Sequence, residues 1–191
     1  MLVRRATLRT DTLSSVTSID LTQLIKAYDV RGTVPDQFNP QVARAIGAAF
    51  ARVVVLPEAS PGEADARPRV AVGRDMRDSG PELVDAFAQG LADAGVDVIR
   101  IGLCSTDGLY YASGALDVPG AMFTASHNPA VYNGIKLCRA GARPVGQDSG
   151  LVAVRELAQE YLDGELPAPV EERGEITDRD MLADYAAFLR S

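Results

Sequence analysis

The sequence predicts an α/β layered domain in which a mostly parallel mixed sheet is flanked by helices. Short apolar runs typical of buried strands alternate with amphipathic segments typical of helices along most of the 191-residue chain. One apolar run, at residues 121–123, breaks directly into small and polar residues. Open α/β sheets bind their ligands where strands end in this way. The two observations together indicate a layered α/β domain with a site at one strand end.

The helix boundaries can be predicted from capping residues. Asn39 followed by Pro40 predicts the N-cap and the first residue of a helix, because proline lacks the N–H group that would stay unpaired there. Ser79 and Glu82 have the spacing of a capping box, which predicts a second helix that ends at Gly95. The remaining predicted elements are strands at residues 69–72, 97–103 and 121–123, a further strand from residue 135, and helices at residues 105–114 and 148–162.

A charged segment follows the predicted strand at residues 69–72. Arg74, Asp75, Arg77 and Asp78 alternate in sign, which favours a salt-bridge cluster that fixes a loop over a catalytic group. This segment is therefore predicted to be structural.

Four segments define the predicted domain organisation. Residues 1–22 are predicted to be a disordered tail, and residues 23–162 form the α/β domain. Residues 163–174 are rich in proline, glycine and acidic residues, which is typical of a linker. Residues 175–191 are predicted to be one capped helix that opens a truncated second domain. Within the main domain, residues 56–68 are predicted to be a surface insertion.

Charge and cysteine content limit the partners and the compartment. Acidic residues outnumber Lys plus Arg by 26 to 19, and the net charge of −7 disfavours nucleic acid or an anionic membrane as a partner. No run of residues approaches the length of a membrane span. Cys104 and Cys138 each lie in an apolar run, which suits two thiols in a reducing cytoplasm better than a disulfide.

The polar residues after the strand at 121–123 are the strongest candidates for chemistry. Ser126, His127 and Asn128 place a hydroxyl, the only imidazole of the chain and a carboxamide next to Pro129, which stiffens the backbone. Covalent chemistry at Ser126 is therefore plausible. Asn133 and Gly134 are predicted to form a turn, after which a new strand begins.

Lysine is rare in this chain, which makes its positions informative. The sequence has 17 Arg but only two Lys, Lys26 and Lys136. Lys136 is predicted at the start of the strand that follows the serine, facing it. An ammonium gives up its proton more readily than a guanidinium, so Lys136 is the candidate for acid and base chemistry.

These residues resemble those of a known family. The string T-A-S-H-N-P at residues 124–129, followed by Y-N-G-I-K, resembles the active-site loop of the α-D-phosphohexomutases, the phosphomannomutase/phosphoglucomutase family, in which the serine carries a phosphoryl group. K-A-Y-D-V-R-G at residues 26–32 resembles the family's N-terminal signature, and V-G-R-D-x-R at residues 72–77 agrees. The resemblance covers about residues 24–190, which correspond to the first of the family's four domains and the start of the second.

The resemblance implies a phosphoryl relay between a hexose 6-phosphate and a hexose 1-phosphate through a hexose 1,6-bisphosphate, which also acts as activator. By resemblance Ser126 carries the phosphoryl group and touches Mg²⁺ through it, while Tyr28 and Arg31 approach the phosphoserine. Lys136 is the implied general acid/base, and His127 and Asn128 are implied to hold the loop. The partners implied are a phosphosugar substrate, with mannose phosphate favoured, and missing C-terminal domains, so this chain is expected to be inactive alone.

Two other functions remain open at this point. A serine hydrolase using Ser126 and His127 is the weaker alternative, because sequence neighbours seldom reach nucleophile-to-base geometry and no G-x-S-x-G elbow is present. A stand-alone phosphosugar-binding or scaffolding domain without turnover is the stronger alternative.

Overall fold

The computed structural model of the protein describes residues 19–59 and 67–191. Its centre is a mixed sheet of seven strands in the order β1-β5-β4-β2-β3-β7, with β6 paired to β5. The neighbours β4, β2, β3 and β7 run parallel. In contrast, β5 is antiparallel to β1, β4 and β6. The strands are β1 Val30–Thr33, β2 Arg69–Arg74, β3 Asp97–Leu103, β4 Gly120–Phe123, β5 Tyr132–Arg139, β6 Arg143–Pro144 and β7 Ile176–Asp178.

Helices cover both faces of this sheet. The first helix, α1, passes through a π-helical turn at Ala51–Val55 into a short α2. Single-turn 3₁₀ helices lie at Ala140–Ala142 and Gln147–Ser149. The helices are α1 Pro40–Phe50, α2 Leu56–Glu58, α3 Gly80–Asp93, α4 Thr106–Leu116, α5 Leu151–Asp163 and α6 Leu182–Phe188. The predicted fold class, an α/β domain with a mixed sheet flanked by helices, is confirmed.

Two apolar cores lie on opposite faces of the sheet, because side chains alternate between its faces. Val70 and Val72 of β2 belong to the larger core, which also contains buried residues of α1, α3 and α5. Ala71, between them, belongs to the smaller core, which contains buried residues of α4. The sheet is therefore the middle of three layers.

Two glycines bring α1 and α3 into contact. A Cβ atom on Gly47 of α1 would lie 2.3 Å from the carbonyl oxygen of Phe87, and one on Gly90 of α3 would lie 2.2 Å from that of Arg44. Neither backbone could stay in place with a larger residue, so the close approach of the helices requires glycine at both positions. This packing holds the layer that supports β2 and β4.

Phe123, the last residue of β4, fixes the strand end that precedes the candidate site. Its ring is fully buried and lies 5.4 Å from that of Phe87, edge to face, and 6.4 Å from that of Phe38, stacked. Such aromatic contacts add to the burial of the ring itself. The polar loop after Phe123 therefore starts from a rigid point.

Asn39 caps α1 as predicted, because its side chain accepts a hydrogen bond from the N–H of Val42 at 3.0 Å. The predicted capping box at Ser79 and Glu82 is wrong. Ser79 stands at the N-cap of α3, but its side chain makes no capping hydrogen bond. Its hydroxyl instead accepts a hydrogen bond from Asn133 Nδ2 at 2.9 Å. The predicted helix at residues 148–162 begins later, at Leu151.

The predicted disordered tail, residues 1–22, is too long at its end. Leu21 is fully buried, and its N–H donates a hydrogen bond to Gln159 Oε1 of α5 at 2.8 Å. The amide of Gln159 in turn donates to the carbonyl of Ile19 at 3.1 Å. Burial and these hydrogen bonds order residues 19–22. The rest of the predicted tail lies outside the described residues, as do residues 60–66 of the predicted insertion.

The single helix predicted for residues 175–191 is wrong at its start. Ile176–Asp178 form β7, which pairs in parallel with β3, and the helix α6 covers only Leu182–Phe188. β-Branched Ile176 and Thr177 suit a strand, and the Thr177 hydroxyl donates to the carbonyl of Val98 at 3.3 Å. The end of the predicted linker is also bonded to α3, because the N–H of Gly174 donates to the carbonyl of Ala92 at 2.9 Å.

Cys104 and Cys138 are free thiols, as predicted. Burial raises the pKa of Cys104 to about 11 and raises the pKa of Cys138 as well. Both side chains are therefore protonated at neutral pH. Among the helices that the structure describes, none combines the length and the apolar character that crossing a bilayer requires.

Candidate functional site

The candidate site is centred on residues 124–131, here called the serine loop, which follows the carboxyl end of β4. The N–H of Thr124 donates to the carbonyl of Gly134 at 3.0 Å, which joins the start of the loop to β5. The Thr124 hydroxyl accepts a hydrogen bond from the N–H of Ser126 at 2.9 Å. The N–H of Asn128 donates to the carbonyl of Ala125 at 3.0 Å. The loop is thus a tight turn with its own hydrogen bonds, placed where the sequence predicted it.

Ser126 stands out in this turn because its φ angle is +55°. This left-handed conformation is unfavourable for a residue with a Cβ atom and indicates that the surrounding contacts impose it. Both Ser126 and His127 are exposed, and Ser126 Oγ lies 3.3 Å from His127 Nδ1. The turn therefore presents the hydroxyl to solvent beside the imidazole.

Arg77 holds the backbone of the serine loop. Its guanidinium is largely buried and donates hydrogen bonds to four backbone carbonyls, three in the serine loop and one at the start of β5, and to the carboxylate of Asp75. The four carbonyl distances are each 2.9 Å, to Ser126, Asn128, Pro129 and Tyr132. The Nε–H donates to Asp75 Oδ2 at 3.2 Å. All five donors of the guanidinium are therefore used. Of the predicted salt-bridge cluster, the pair of Arg77 and Asp75 is present and its arginine fixes the loop, whereas Arg74 and Asp78 form no salt bridge among the described residues.

The predicted turn at Asn133 and Gly134 is wrong, because both residues lie inside β5. The turn comes earlier, where the N–H of Tyr132 donates to the carbonyl of Pro129 at 3.0 Å. Glycine is needed at residue 134 for a different reason. A Cβ atom there would lie 2.2 Å from the carbonyl oxygen of Val30 in β1. Asn133 is fully buried, and its hydrogen bond to Ser79 ties β5 to the start of α3.

Arg31 is the cation that contacts the serine loop from the other side. It lies on β1, opposite Gly134, and its guanidinium donates to Asn128 Oδ1 at 3.0 Å and to Asp29 Oδ2 at 2.7 Å. The Nε–H of Arg31 is buried and has no partner among the described residues. Arg31 therefore reaches the loop through the Asn128 side chain, which joins two residues that the sequence had singled out.

Lys136 lies in the middle of β5, opposite Met122 of β4, rather than at the start of the strand as predicted. Its ammonium lies 3.4 Å from Asp29 Oδ2, the same oxygen that accepts from Arg31. Asp29 was not identified as a candidate from the sequence. One signal was available: Asp29 and Arg31 are two residues apart, and in extended backbone such side chains share a face.

Tyr28 and Lys26 lie at the edge of this group. The Tyr28 side chain is 79% exposed. No hydrogen bond of its hydroxyl is found within residues 19–59 and 67–191. Lys26 is exposed and lines a recess of about 570 Å³ together with Asp29 and Arg31. The structure therefore does not bring Tyr28 into contact with Ser126 in this conformation.

A second cavity, of about 470 Å³, lies at the serine loop and is lined by Ser126, His127, Asn128 and the α3 entry residues Met76 to Ser79. The Ser126 hydroxyl opens into this cavity, whereas Asp29 and Arg31 line the recess described above. The chemistry available at this cavity is that of an exposed hydroxyl beside an imidazole, with Arg31 bonded to the same loop through Asn128. Within the described parts of the chain, no group of three or more His, Cys, Asp or Glu side chains could hold a metal ion.

Comparison with known proteins gives consistent matches. The family described as phosphoglucomutase/phosphomannomutase, alpha/beta/alpha domain I, matches residues 22–161. Phosphohexose mutases of Xanthomonas campestris pv. campestris are 45% identical over 132 residues, which cover 69% of this chain and 27% of the relative. A phosphomannomutase of Klebsiella pneumoniae is 39% identical over 170 residues, which cover 86% of this chain and 99% of that sequence.

A solved structure also matches. The crystal structure of a phosphoglucomutase/phosphomannomutase family protein from Burkholderia thailandensis has a TM-score of 0.65 and 32% identity, covering 86% of this chain and 34% of that chain. The chain thus spans about a quarter to a third of the length of the Xanthomonas and Burkholderia proteins.

Proposed function

Because the chain belongs to the phosphoglucomutase/phosphomannomutase family, we propose that it carries the phosphoserine-bearing part of a phosphohexomutase. The enzyme interconverts hexose 6-phosphate and hexose 1-phosphate through a hexose 1,6-bisphosphate. The phosphoryl group resides on Ser126. Mannose phosphate is the first substrate to test, since the relative from Klebsiella pneumoniae is called a phosphomannomutase.

The observation that carries this proposal is the construction of the serine loop. The exposed Ser126 hydroxyl sits in a strained turn whose backbone is held by the four carbonyl hydrogen bonds of Arg77. Phosphoryl transfer depends mainly on positioning and on charge neutralisation. An acceptor oxygen fixed in this way supplies the positioning. We assign part of the charge neutralisation to Lys136 and to Arg31, which reaches the loop through Asn128 Oδ1.

The proposed reaction has two phosphoryl transfers. A hydroxyl oxygen of the hexose monophosphate attacks the phosphorus held on Ser126, and the new O–P bond forms as the P–Oγ bond breaks. The sugar hydroxyl gives up its proton, and Ser126 Oγ receives one. The resulting bisphosphate reorients in the site, and Ser126 Oγ gives up its proton and attacks the other phosphorus. The bond between that phosphorus and the sugar oxygen breaks, and the sugar oxygen takes a proton. Phosphoserine is thereby restored, and the phosphoryl group has moved between the 1- and 6-positions.

Each nearby side chain has a proposed part in these transfers. Lys136 carries the proton, since an ammonium can act as an acid and, once deprotonated, as a base. Arg31 donates hydrogen bonds to the phosphoryl oxygens, because its planar fork matches them. His127 and Asn128 hold the loop and donate to phosphoryl oxygens. Tyr28 approaches the phosphoserine when substrate is bound.

Mg²⁺ is part of the proposal, bound through the phosphoryl group on Ser126. This ion takes octahedral oxygen ligands and binds phosphates through one or two carboxylates and water. The described residues do not provide that set, since no group of three or more His, Cys, Asp or Glu side chains among them could hold a metal. Its other ligands would have to come from outside those residues, and no step above passes through the ion.

The decisive experiment is to locate the phosphoryl group in the full-length protein. Incubation with glucose or mannose 1,6-bisphosphate should add one phosphoryl group, which peptide mapping should assign to Ser126. Ser126→Ala should abolish both the uptake and the interconversion of hexose phosphates, whereas Ser191→Ala, at an exposed position, should change neither. Phosphorylation at another serine, or full turnover by Ser126→Ala, would rule out the proposal.

The 191-residue chain alone is expected to lack mutase turnover, because it spans only about a quarter to a third of two of the relatives described above. The chain is also expected to be cytoplasmic, where its thiols stay reduced. Purified chain that binds hexose phosphate tightly but belongs to a full-length protein without turnover would instead favour the phosphosugar-binding or scaffolding function.

A further inference from the structure

Asp29 places one carboxylate oxygen between the two cations of the site. Its Oδ2 accepts from Arg31 at 2.7 Å and lies 3.4 Å from the Lys136 ammonium. The Asp29 side chain is 22% exposed, so this contact is partly shielded from solvent. Neither cation has another carboxylate partner among the described residues. The Asp29 carboxylate is therefore the negative charge that neutralises part of the positive charge of Arg31 and Lys136.

The arrangement follows from the sheet. Val30 of β1 pairs with Ile135 of β5, and both side chains belong to the larger core. The residues on either side of them, Asp29, Arg31 and Lys136, consequently face the opposite side. Continuing the register by one residue sets Asp29 opposite Lys136. Asp29, the residue before β1, is thus brought next to Lys136 by the pairing of the adjacent strands.

The contacts of Arg31 are incomplete, unlike those of Arg77. Arg31 uses one nitrogen for Asp29 and one for Asn128, while its buried Nε–H has no partner among the described residues. A buried donor without a partner is unfavourable, so this arrangement is not the best that the guanidinium can reach. A ligand that changed the position of the Arg31 side chain could accept a hydrogen bond from this Nε–H.

We propose that Asp29 is a positioning residue which holds Arg31 and Lys136 while Ser126 is unphosphorylated and releases them when the phosphoryl group is present. This inference rests on the proposed phosphorylation of Ser126. Asp29 and the phosphoryl group then compete for the same two cations. The competition keeps the phosphoryl group from being bound so tightly that its transfer to the sugar slows.

The charges support this exchange. Arg31, Lys136 and Asp29 sum to +1 without a phosphoryl group, and a phosphoserine adds about −1.5 to −2, which changes the sum to about −0.5 to −1. Without Asp29 the same states carry +2 and about 0 to +0.5. Removing the acid should therefore disfavour the unphosphorylated protein, where two cations face each other unopposed, and favour the phosphorylated one.

The test is a thermal-unfolding cycle on the 191-residue chain, made with Ser126 or with phosphoserine incorporated at residue 126 during translation. Asp29→Asn should lower the melting temperature of the Ser126 protein by about 2–4 °C, and it should lower that of the phosphoserine protein less or raise it. Asp36→Asn, which neutralises an exposed acid on the loop after β1, is the matched control and should shift both proteins equally.

Each outcome decides the question. If Asp29→Asn lowers the melting temperature of both proteins by the same amount, Asp29 has a merely structural role and the inference is overturned. A phosphoserine protein that folds only when it also carries Asp29→Asn would support the inference, and one that folds neither with nor without that substitution would contradict it. Arg31→Gln distinguishes the positioning role of Asp29 from the proposed phosphorylation of Ser126. If phosphoserine at residue 126 shifts the melting temperature equally with and without Arg31→Gln, the proposed phosphoserine site itself fails.

Discussion

Two arginines contact the serine loop, and they differ in burial and in the atoms they bind. The Arg77 side chain is 7% exposed and donates to four backbone carbonyls and one carboxylate. The Arg31 side chain is 28% exposed. Among the described residues it donates hydrogen bonds to two side chains, those of Asp29 and Asn128, and its Nε–H has no partner there. The Arg77 guanidinium uses all its donors within the site, whereas the partly exposed Arg31 guanidinium is the one that we propose changes its partners.

The difference indicates how the proposed phosphoryl-transfer site could be both rigid and adaptable. The acceptor oxygen has to be fixed, because small displacements of a reacting atom are costly to catalysis. The neutralising charges have to follow a phosphoryl group that arrives and leaves. Backbone carbonyls bonded to a buried guanidinium meet the first need, and partly exposed side chains meet the second.

The largest effect on the free energy of unfolding is expected when Arg77 is removed. Arg77→Met should lower the free energy of unfolding by about 3–5 kcal/mol, because it leaves Asp75 largely buried without its partner and four backbone carbonyls without their donor. Urea denaturation of the 191-residue chain measures this loss. Arg77→Lys should recover only part of it, since an ammonium has three donors. Arg190→Met, at an exposed position, is the control, and a similar loss there would contradict the assignment.

The spacing of β1 and β5 provides the second test. Gly134→Ala would place a Cβ atom 2.2 Å from the carbonyl oxygen of Val30, so the strands that carry Arg31 and Lys136 must separate. We expect a loss of about 1–3 kcal/mol in the free energy of unfolding. Gly114→Ala, in α4 with nothing within 4 Å, should instead gain about 0.5–1 kcal/mol. Equal effects of the two variants would show that Gly134 is not sterically required.

Removing Arg31 should have little effect on the free energy of unfolding and a large effect on the phosphorylated fraction of Ser126. Arg31→Gln should change the free energy of unfolding by less than about 1 kcal/mol, since partly exposed ion pairs contribute little. In the full-length protein it should reduce the phosphorylated fraction of Ser126 about tenfold or more, because a charge-assisted hydrogen bond is worth about 1.5–3 kcal/mol. Intact-mass measurement after incubation with glucose 1,6-bisphosphate gives this fraction. A large loss of stability with unchanged phosphorylation would reverse the assigned roles of Arg31 and Arg77.

Local sequence patterns were sufficient to predict the fixed half of the site. The apolar run before Ser126 indicated the strand end, and the alternating charges around Arg77 indicated a cluster that fixes a loop. Both signals lie within a few residues of the structure they specify. Long-range pairing explains what was missed: β7 exists because Ile176 and its neighbours bond to β3, and Gly134 is required by Val30, which lies about a hundred residues earlier.

The contacts within the site were less predictable than its members. Ser126, Arg31 and Lys136 were identified from the sequence, but the acid that joins the two cations was not, because its role depends on the register between β1 and β5. The misplaced turn at Asn133 and Gly134 had the same cause. Asn-Gly is a common hairpin turn, yet here Asn133 is buried and bonded to Ser79. Side-chain partners across strands are set by tertiary packing, which a local pattern does not encode.

The smallest expected effect concerns the backbone of Ser126. Its φ of +55° is costly for a residue with a Cβ atom by about 1–2 kcal/mol, while glycine loses about 0.5–1 kcal/mol more chain entropy on folding. Ser126→Gly should therefore raise the free energy of unfolding by up to about 1 kcal/mol, and Ser126→Ala, which keeps the Cβ atom, should leave it within about 0.5 kcal/mol. Urea denaturation of both variants against the parent chain measures the difference. A protein that becomes more stable when its candidate phosphoryl acceptor is removed holds that residue in a conformation which folding alone does not favour. If Ser126→Gly is instead destabilising by more than Ser126→Ala, the turn is not strained at Ser126, and the contacts of Arg77 would be accommodating the loop without imposing its shape.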